Sequence, residues 1–315
     1  MLTRRQLRVK VMQCIYAFTQ SKDDSLDKQE KFLKVSVDNT YTLYLLMLSL
    51  LRELHTMAEN HVLQDTKKYL ASVTDSFPDK EKFIRNQLLQ QIVNNPSLTN
   101  ELKIRKIKGW YLNEDYVKII YKEIAESRIY KTYMTQEGNS YGEDKNLIID
   151  LFREVIAPNE KLYEFFEDDK LTWVDDIPLV NTFLLKQFKG IKQDQPPSFF
   201  LPKLLKDDQD MEFAKKLLAK TLQNNAVLED EIQGKTPNWD KDRIADIDAI
   251  LLKMAICELL NFPSIPERVS INEYLEIAKE YSTPKSSIFI NGILDKLVRE
   301  YKTEGKLKKT GRGLL

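Results

Sequence analysis

The chain has 315 residues, 42% of them hydrophobic and 30% charged, a balance that supports a packed core. Only 9 Gly and 11 Pro punctuate it, which suits long helices and excludes a many-stranded sheet with its frequent turns. Lys plus Arg equals Asp plus Glu at 48 each, a net charge of zero, so a general polyanion coat is excluded and only local basic sites remain.

Thr3 to Gln20 has helical periodicity, with Leu7, Val11, Cys14, Ile15 and Phe18 on one stripe. Thr3 and Gln6 have capping-box spacing. Arg4 and Arg5 occupy the first turn, where the helix macrodipole disfavours each cation by about 0.3–1 kcal/mol. Cations beside free N–H groups make an anion-binding end, and Arg4, Arg5 and Arg8 suit phosphate because guanidinium donates parallel hydrogen bonds. The alternative is a solvated charged face. No acid interrupts the five basic residues between Met1 and Lys22.

A second helix is expected from Lys28 to about Leu70. Its apolar run Tyr41 to Leu51 is too short for a bilayer and ends in Arg52-Glu53. Lys103, Arg105, Lys106 and Lys108 alternate with Ile104 and Ile107, which reads as a snorkelling helix face. Pro78, Pro96, Gly109 and Gly138 to Gly142 punctuate further helices, and Pro196-Pro197 with Pro202 form the clearest break. Leu151, Asn159, Leu162, Trp173, Asp176 and Leu185 recur 66 positions later as Leu217, Asn225, Leu228, Trp239, Asp242 and Leu251, either by chance between helix pairs or as a partial duplication.

The last block runs from Asp207 to Tyr301. Ile244 to Leu259 marks one helix, Ser270 and Glu273 read as a capping box opening the next, and Ser286 or Ser287 can cap a final one. Lys285, Ser286 and Phe289 then offer a cation, a hydroxyl and a ring, a grouping suited to a phosphate and a stacked, unpaired base. Phe289 as a core residue is the alternative. No Gly-rich phosphate loop, G-x-S-x-G or Cys/His nucleophile arrangement occurs. Cys14, Cys257, His55 and His61 lack metal-ligand spacing. We therefore expect no catalysis, no cofactor and no metal, and, with no secretory core in Met1–Lys10, a cytoplasmic location.

DRIADIDAILLKMAICELL from Asp242, VSINEYLEIAKEYS from Val269 and FINGILDKL from Phe289 together resemble the C-terminal half of NusB transcription antitermination factors. RRQLRVKVMQCIYAFTQ resembles that family's arginine-rich first helix, and Asp207 to Trp239 its preceding helix pair. The resemblance implies an all-α, NusB-like helical bundle, discontinuous in sequence. Residues 1–24 would supply the first helix, 25–206 an inserted helical subdomain, 207–301 the rest of the bundle and 302–315 a basic tail. It also implies that Arg4, Arg5, Arg8 and Phe289 bind single-stranded boxA RNA of ribosomal leader transcripts. Tyr16, Asp242 and Asp248 would contact the ribosomal protein NusE within the RNA polymerase antitermination complex. Some members carry Asp where this chain has Lys285. The competing readings are a protein-only adaptor or ribosome-biogenesis factor, and a module attached to an rRNA methyltransferase, which would need a cofactor loop this sequence lacks.

Overall fold

A computed structural model describes residues 1–21, 25–67, 79–235 and 244–310. Among them the expected all-α class holds: fourteen α-helices and no strand. In chain order these are α1 (Arg4–Gln20), α2 (Leu26–Lys67), α3 (Gln87–Val93), α4 (Pro96–Ile104), α5 (Glu114–Glu126), α6 (Arg128–Thr135) and α7 (Tyr141–Leu151). After a π turn at Phe152–Ile156 come α8 (Glu160–Asp169), α9 (Asp176–Gly190), α10 (Asp208–Gln223), α11 (Asn225–Gln233), α12 (Asp246–Asn261), α13 (Glu267–Tyr281) and α14 (Ser286–Thr303). Short polar residues begin many of them. Asn86, Asn95, Ser127, Ser140 and Asn159 each accept a backbone N–H from the first turn of α3, α4, α6, α7 and α8, replacing partners that a helix start lacks.

The chain divides into two compact units, residues 1–37 with 204–315, and residues 38–203. In the first, α1 packs on α10, α12 and α13. Leu7, Val11 and Cys14 are fully buried, so the apolar stripe of α1 finds its partner far along the chain. Loop-closure entropy grows only logarithmically with the intervening length, so this separation adds little cost. The Leu2 N–H donates to the Leu204 carbonyl at 2.8 Å. The first turns of α2 belong to the same unit: Leu33 and Val37 are buried, and Lys10 Nζ donates to Ser36 Oγ at 3.2 Å.

The second unit holds the rest of α2 with α3 to α9. Tyr44, Phe152, Phe166, Trp173 and Phe188 fill its core. Buried polar groups are paired where they meet in this core: the Tyr44 hydroxyl donates to Gln187 Oε1 at 2.7 Å, and Thr40 Oγ1 to Asp176 Oδ2 at 2.8 Å. Gly109 lies so close to α2 that a Cβ there would collide with Leu46 Cδ1. Helices α7, α8 and α9 start at Tyr141, Glu160 and Asp176, and α10, α11 and α12 at Asp208, Asn225 and Asp246. Trp239 and Asp242 of the sequence echo lie outside the described residues.

Two expected caps are corrected. α14 begins at Ser286 with Lys285 in the capping position and no side-chain cap bond, because the Ser286 hydroxyl is spent on Asp248. α13 begins at Glu267, after Pro266, not at Ser270. Ser270 and Glu273 sit inside the helix and bond to other helices instead. No helix among the described residues is long and apolar enough to cross a membrane.

Candidate functional site

Two contacts fix how α1 lies on α12. Arg8 meets Glu258, and Gln20 Nε2 reaches Asp246 Oδ2 at 3.4 Å. Twelve residues separate the contacts on both helices, so α1 and α12 run antiparallel with matched rise. The arginine-rich start of α1 therefore lies at the C-terminal end of α12.

Arg8 is inside the bundle. Its side chain is 3% exposed and that of Glu258 0%. Nε donates to Glu258 Oε2 at 2.8 Å and Nη2 to Oε1 at 2.7 Å. The same carboxylate accepts from Ser270 Oγ at 2.7 Å and from the Tyr274 hydroxyl at 3.0 Å. Glu273 adds a charge 3.6 Å from Nη1, and the guanidinium lies 5.1 Å from the Phe213 ring centre. Burial works against the charge on Arg8, but the Glu258 hydrogen bonds and neighbouring acids outweigh it and raise its pKa above the ordinary arginine value. Burial, with the Glu258 charge beside it, drives the Tyr274 hydroxyl well above the usual tyrosine range. Arg8 is thus almost enclosed, with its guanidinium held on the Glu258 carboxylate.

Arg4 and Arg5 differ. Each side chain is 40% exposed. Arg5 donates twice to Glu273, both at 2.9 Å, and those bonds hold the Glu273 carboxyl below its ordinary value. Arg4 Nε donates to Asp210 Oδ1 at 2.9 Å, and its terminal nitrogens have no partner among the described contacts. Both line a cavity of about 640 Å³ with Thr3, Arg8, Ile265, Pro266, Val269 and Glu273.

The second expected group lies elsewhere. Lys285 is exposed and precedes α14. Ser286 is 2% exposed, and its hydroxyl donates to Asp248 Oδ2 at 2.7 Å, while Ser282 Oγ donates to Oδ1 at 2.6 Å. Asp248 is itself buried. It ties the start of α12 to the end of α13 and the start of α14, so its carboxylate is not a surface group. Phe289 is half-buried. Glu258 and Asp248 lie ten residues apart on α12, about 15 Å along the axis. The arginines and the α14 group thus occupy opposite ends of that helix. Tyr16 is 40% exposed on α1, and Asp242 falls outside the described residues.

Glu258 and Asp210 escaped the sequence reading. A signal existed for the first: Glu258 interrupts the apolar register of α12, as Arg8 does on α1, and two opposite charges at core positions imply a pair. Nothing local marked Asp210, which shares the first turn of α10 with Asp208.

These features define an all-helical bundle with a cationic rim beside an open cavity. The NusB family profile matches residues 184–299, which include α10 to α14 and leave out α1. The chain is 43% identical over 109 residues to the transcription antitermination protein NusB of Salinibacter ruber, covering 35% of this chain and 68% of that protein. It is 41% identical over 125 residues to the protein of the same name from Chloroherpeton thalassium, covering 39% and 59%. With that of Methylacidiphilum infernorum it shares 39% over 94 residues, 30% of this chain and 66% of the relative. No solved structure matches it. The chain belongs to the NusB family.

Proposed function

We propose that the protein is an RNA-binding transcription antitermination factor that acts by binding and not by catalysis. Two half-exposed arginines beside an open cavity, in a bundle whose relatives are named transcription antitermination proteins, carry the reading. Its RNA is single-stranded and boxA-like; its protein partners are NusE and, through it, RNA polymerase. Arg4 and Arg5 take the phosphates. Arg8 holds the helix that presents them and does not touch RNA. Lys285 and Phe289 extend the track at the other end of α12, with Lys285 adding charge and Phe289 a face for a base. Tyr16 is the exposed partner contact on α1, and Asp248 acts by holding the α12–α14 junction. The 38–203 unit is an insertion in this bundle.

Filter binding of a boxA-type RNA across a salt series tests this. Each phosphate contact on a single strand contributes about −0.7 to the slope of log affinity against log salt. Arg4→Ala/Arg5→Ala should therefore flatten the slope by about 1.4, with the fold intact. A wild-type slope in that variant removes the first helix from the RNA site. The pairing of both arginines with Asp210 and Glu273 favours a second reading in that event, a protein-only adaptor whose cations are already neutralised.

A further inference from the structure

The basic cluster at the end of α4 is not accounted for by the bundle. α4 ends in a Schellman motif: the Ile107 N–H donates to the Leu102 carbonyl and the Lys106 N–H to that of Lys103. The position after the cap takes a left-handed backbone, which glycine adopts freely and a side chain resists. Here it is Lys106, at φ 54°, the one non-glycine residue with positive φ among those described. A strained cation is retained where glycine would be more stable, which is a reason to look for function.

The loop that follows is pinned. Gly109 contacts Leu46 with no room for a Cβ, and Trp110 Nε1 donates to the Leu46 carbonyl and to Ser49 Oγ, both at 3.0 Å. Beside that anchor Tyr111 is 86% exposed. Together they border a groove of about 620 Å³ whose charged lining is Arg52, Lys103, Lys106 and Lys108 against Glu53 alone. The three lysines are exposed, and among the described residues neither they nor Arg52 form an ion pair. Partial burial lowers the Arg52 pKa below its ordinary value, opposed by the neighbouring Glu53.

We propose that this groove in the 38–203 unit is a second nucleic-acid site, which takes single-stranded RNA with phosphates on Arg52, Lys103, Lys106 and Lys108 and one base stacked on Tyr111. Four cations against one acid select a polyanion, and a rigidly based, exposed ring selects an unpaired base over a duplex, whose bases are already stacked. Snorkelling explains Lys103, which also complements the C-terminal dipole of α4. It does not explain a lysine in the left-handed position or a bare tyrosine next to it.

The test uses the full chain in an Arg4→Ala/Arg5→Ala background, so that the bundle rim does not contribute. Fluorescence anisotropy follows a short uridine-rich RNA across a salt series. Lys103→Ala/Lys106→Ala/Lys108→Ala should flatten the salt slope by about 2. Tyr111→Ala should weaken binding about tenfold with the slope unchanged. Lys106→Gly should raise the melting temperature and weaken RNA together, a pairing that a purely structural lysine would not give. An unchanged slope in the triple variant overturns the proposal, as does a loss of all binding in the background alone. Equal affinity for duplex RNA with no effect of Tyr111→Ala overturns it as well. The salt slope and the Tyr111→Ala effect are read within the Arg4→Ala/Arg5→Ala background, so they stand or fall separately from boxA binding at the rim.

Discussion

Replacing Arg8 by Ala should be among the most destabilising single changes in the bundle. The substitution leaves Glu258, fully buried, with only the Ser270 and Tyr274 hydroxyls for its charge. Breaking a buried pair by deleting one partner costs about 3–5 kcal/mol, because the remaining charge stays desolvated. Loss of the guanidinium packed near Phe213 and Tyr274 adds up to about 2 kcal/mol. Domains are stable by about 5–15 kcal/mol, so about a fifth of the margin or more is at stake. Hydrogen exchange of amides in α1 and α12 reads it locally, which matters because the two units need not unfold together. Removing both charges as Arg8→Met/Glu258→Leu should recover most of the loss, since apolar replacement of a whole buried pair is often neutral or better. Arg5→Ala is the contrast: its pair with Glu273 is partly exposed and is expected to contribute about 0–1 kcal/mol. If Arg8→Ala costs no more than Arg5→Ala, or the double replacement is as unstable as the single, the enclosed-pair argument is wrong.

Other outcomes follow from the same physics. Burial pushes the Cys14 thiol up to about 12 and Cys257 to about 11, so neither should react with a disulfide reagent at pH 8 until the protein is unfolded, when both should. Glu273 is held below its ordinary value of 4.5, first by its bonds to Arg5; as a depressed acid it adds stability above that value and loses it as pH falls through the folded pKa. The stability difference between wild type and Arg5→Ala should therefore shrink on acidification below about pH 4.5, and a difference that grows would reverse the assignment. Gly109→Ala forces a Cβ into Leu46 and should cost about 1–3 kcal/mol by overpacking, visible as a lower melting temperature.

Much of the fold was legible because helices announce themselves through spacing and punctuation. The stripe of α1 and the end of α12 before Pro263 need no tertiary information, only a 3.6-residue period and a breaker. Ser270 and Glu273 misled for a physical reason. Their spacing satisfies a cap, but the same side chains reach Glu258 and Arg5 from inside a helix, and Pro266 had already supplied the fixed φ that opens it. The roles of Arg8 and Asp248 were illegible for a related reason. Charge predicts exposure only when no opposite charge or hydroxyl meets it in the core, and both partners of each lie far along the chain or around a turn.

The first helix shows why residue type alone could not divide its arginines. Arg4, Arg5 and Arg8 fall within five positions and carry the same group, yet their side chains are 40%, 40% and 3% exposed. Arg4 and Arg8 even share a face, both 5.1 Å from the Phe213 ring centre, as four-residue spacing requires. What separates them is one turn of helix, about 5 Å of rise, at the point where α1 passes under α12 and α13. Before it a guanidinium still has water and free donors; beyond it the only acceptable partner is a buried carboxylate. The depth at which α1 enters the bundle, set by the Leu7 and Val11 packing and the Arg8–Glu258 lock, therefore fixes how many cations reach the rim.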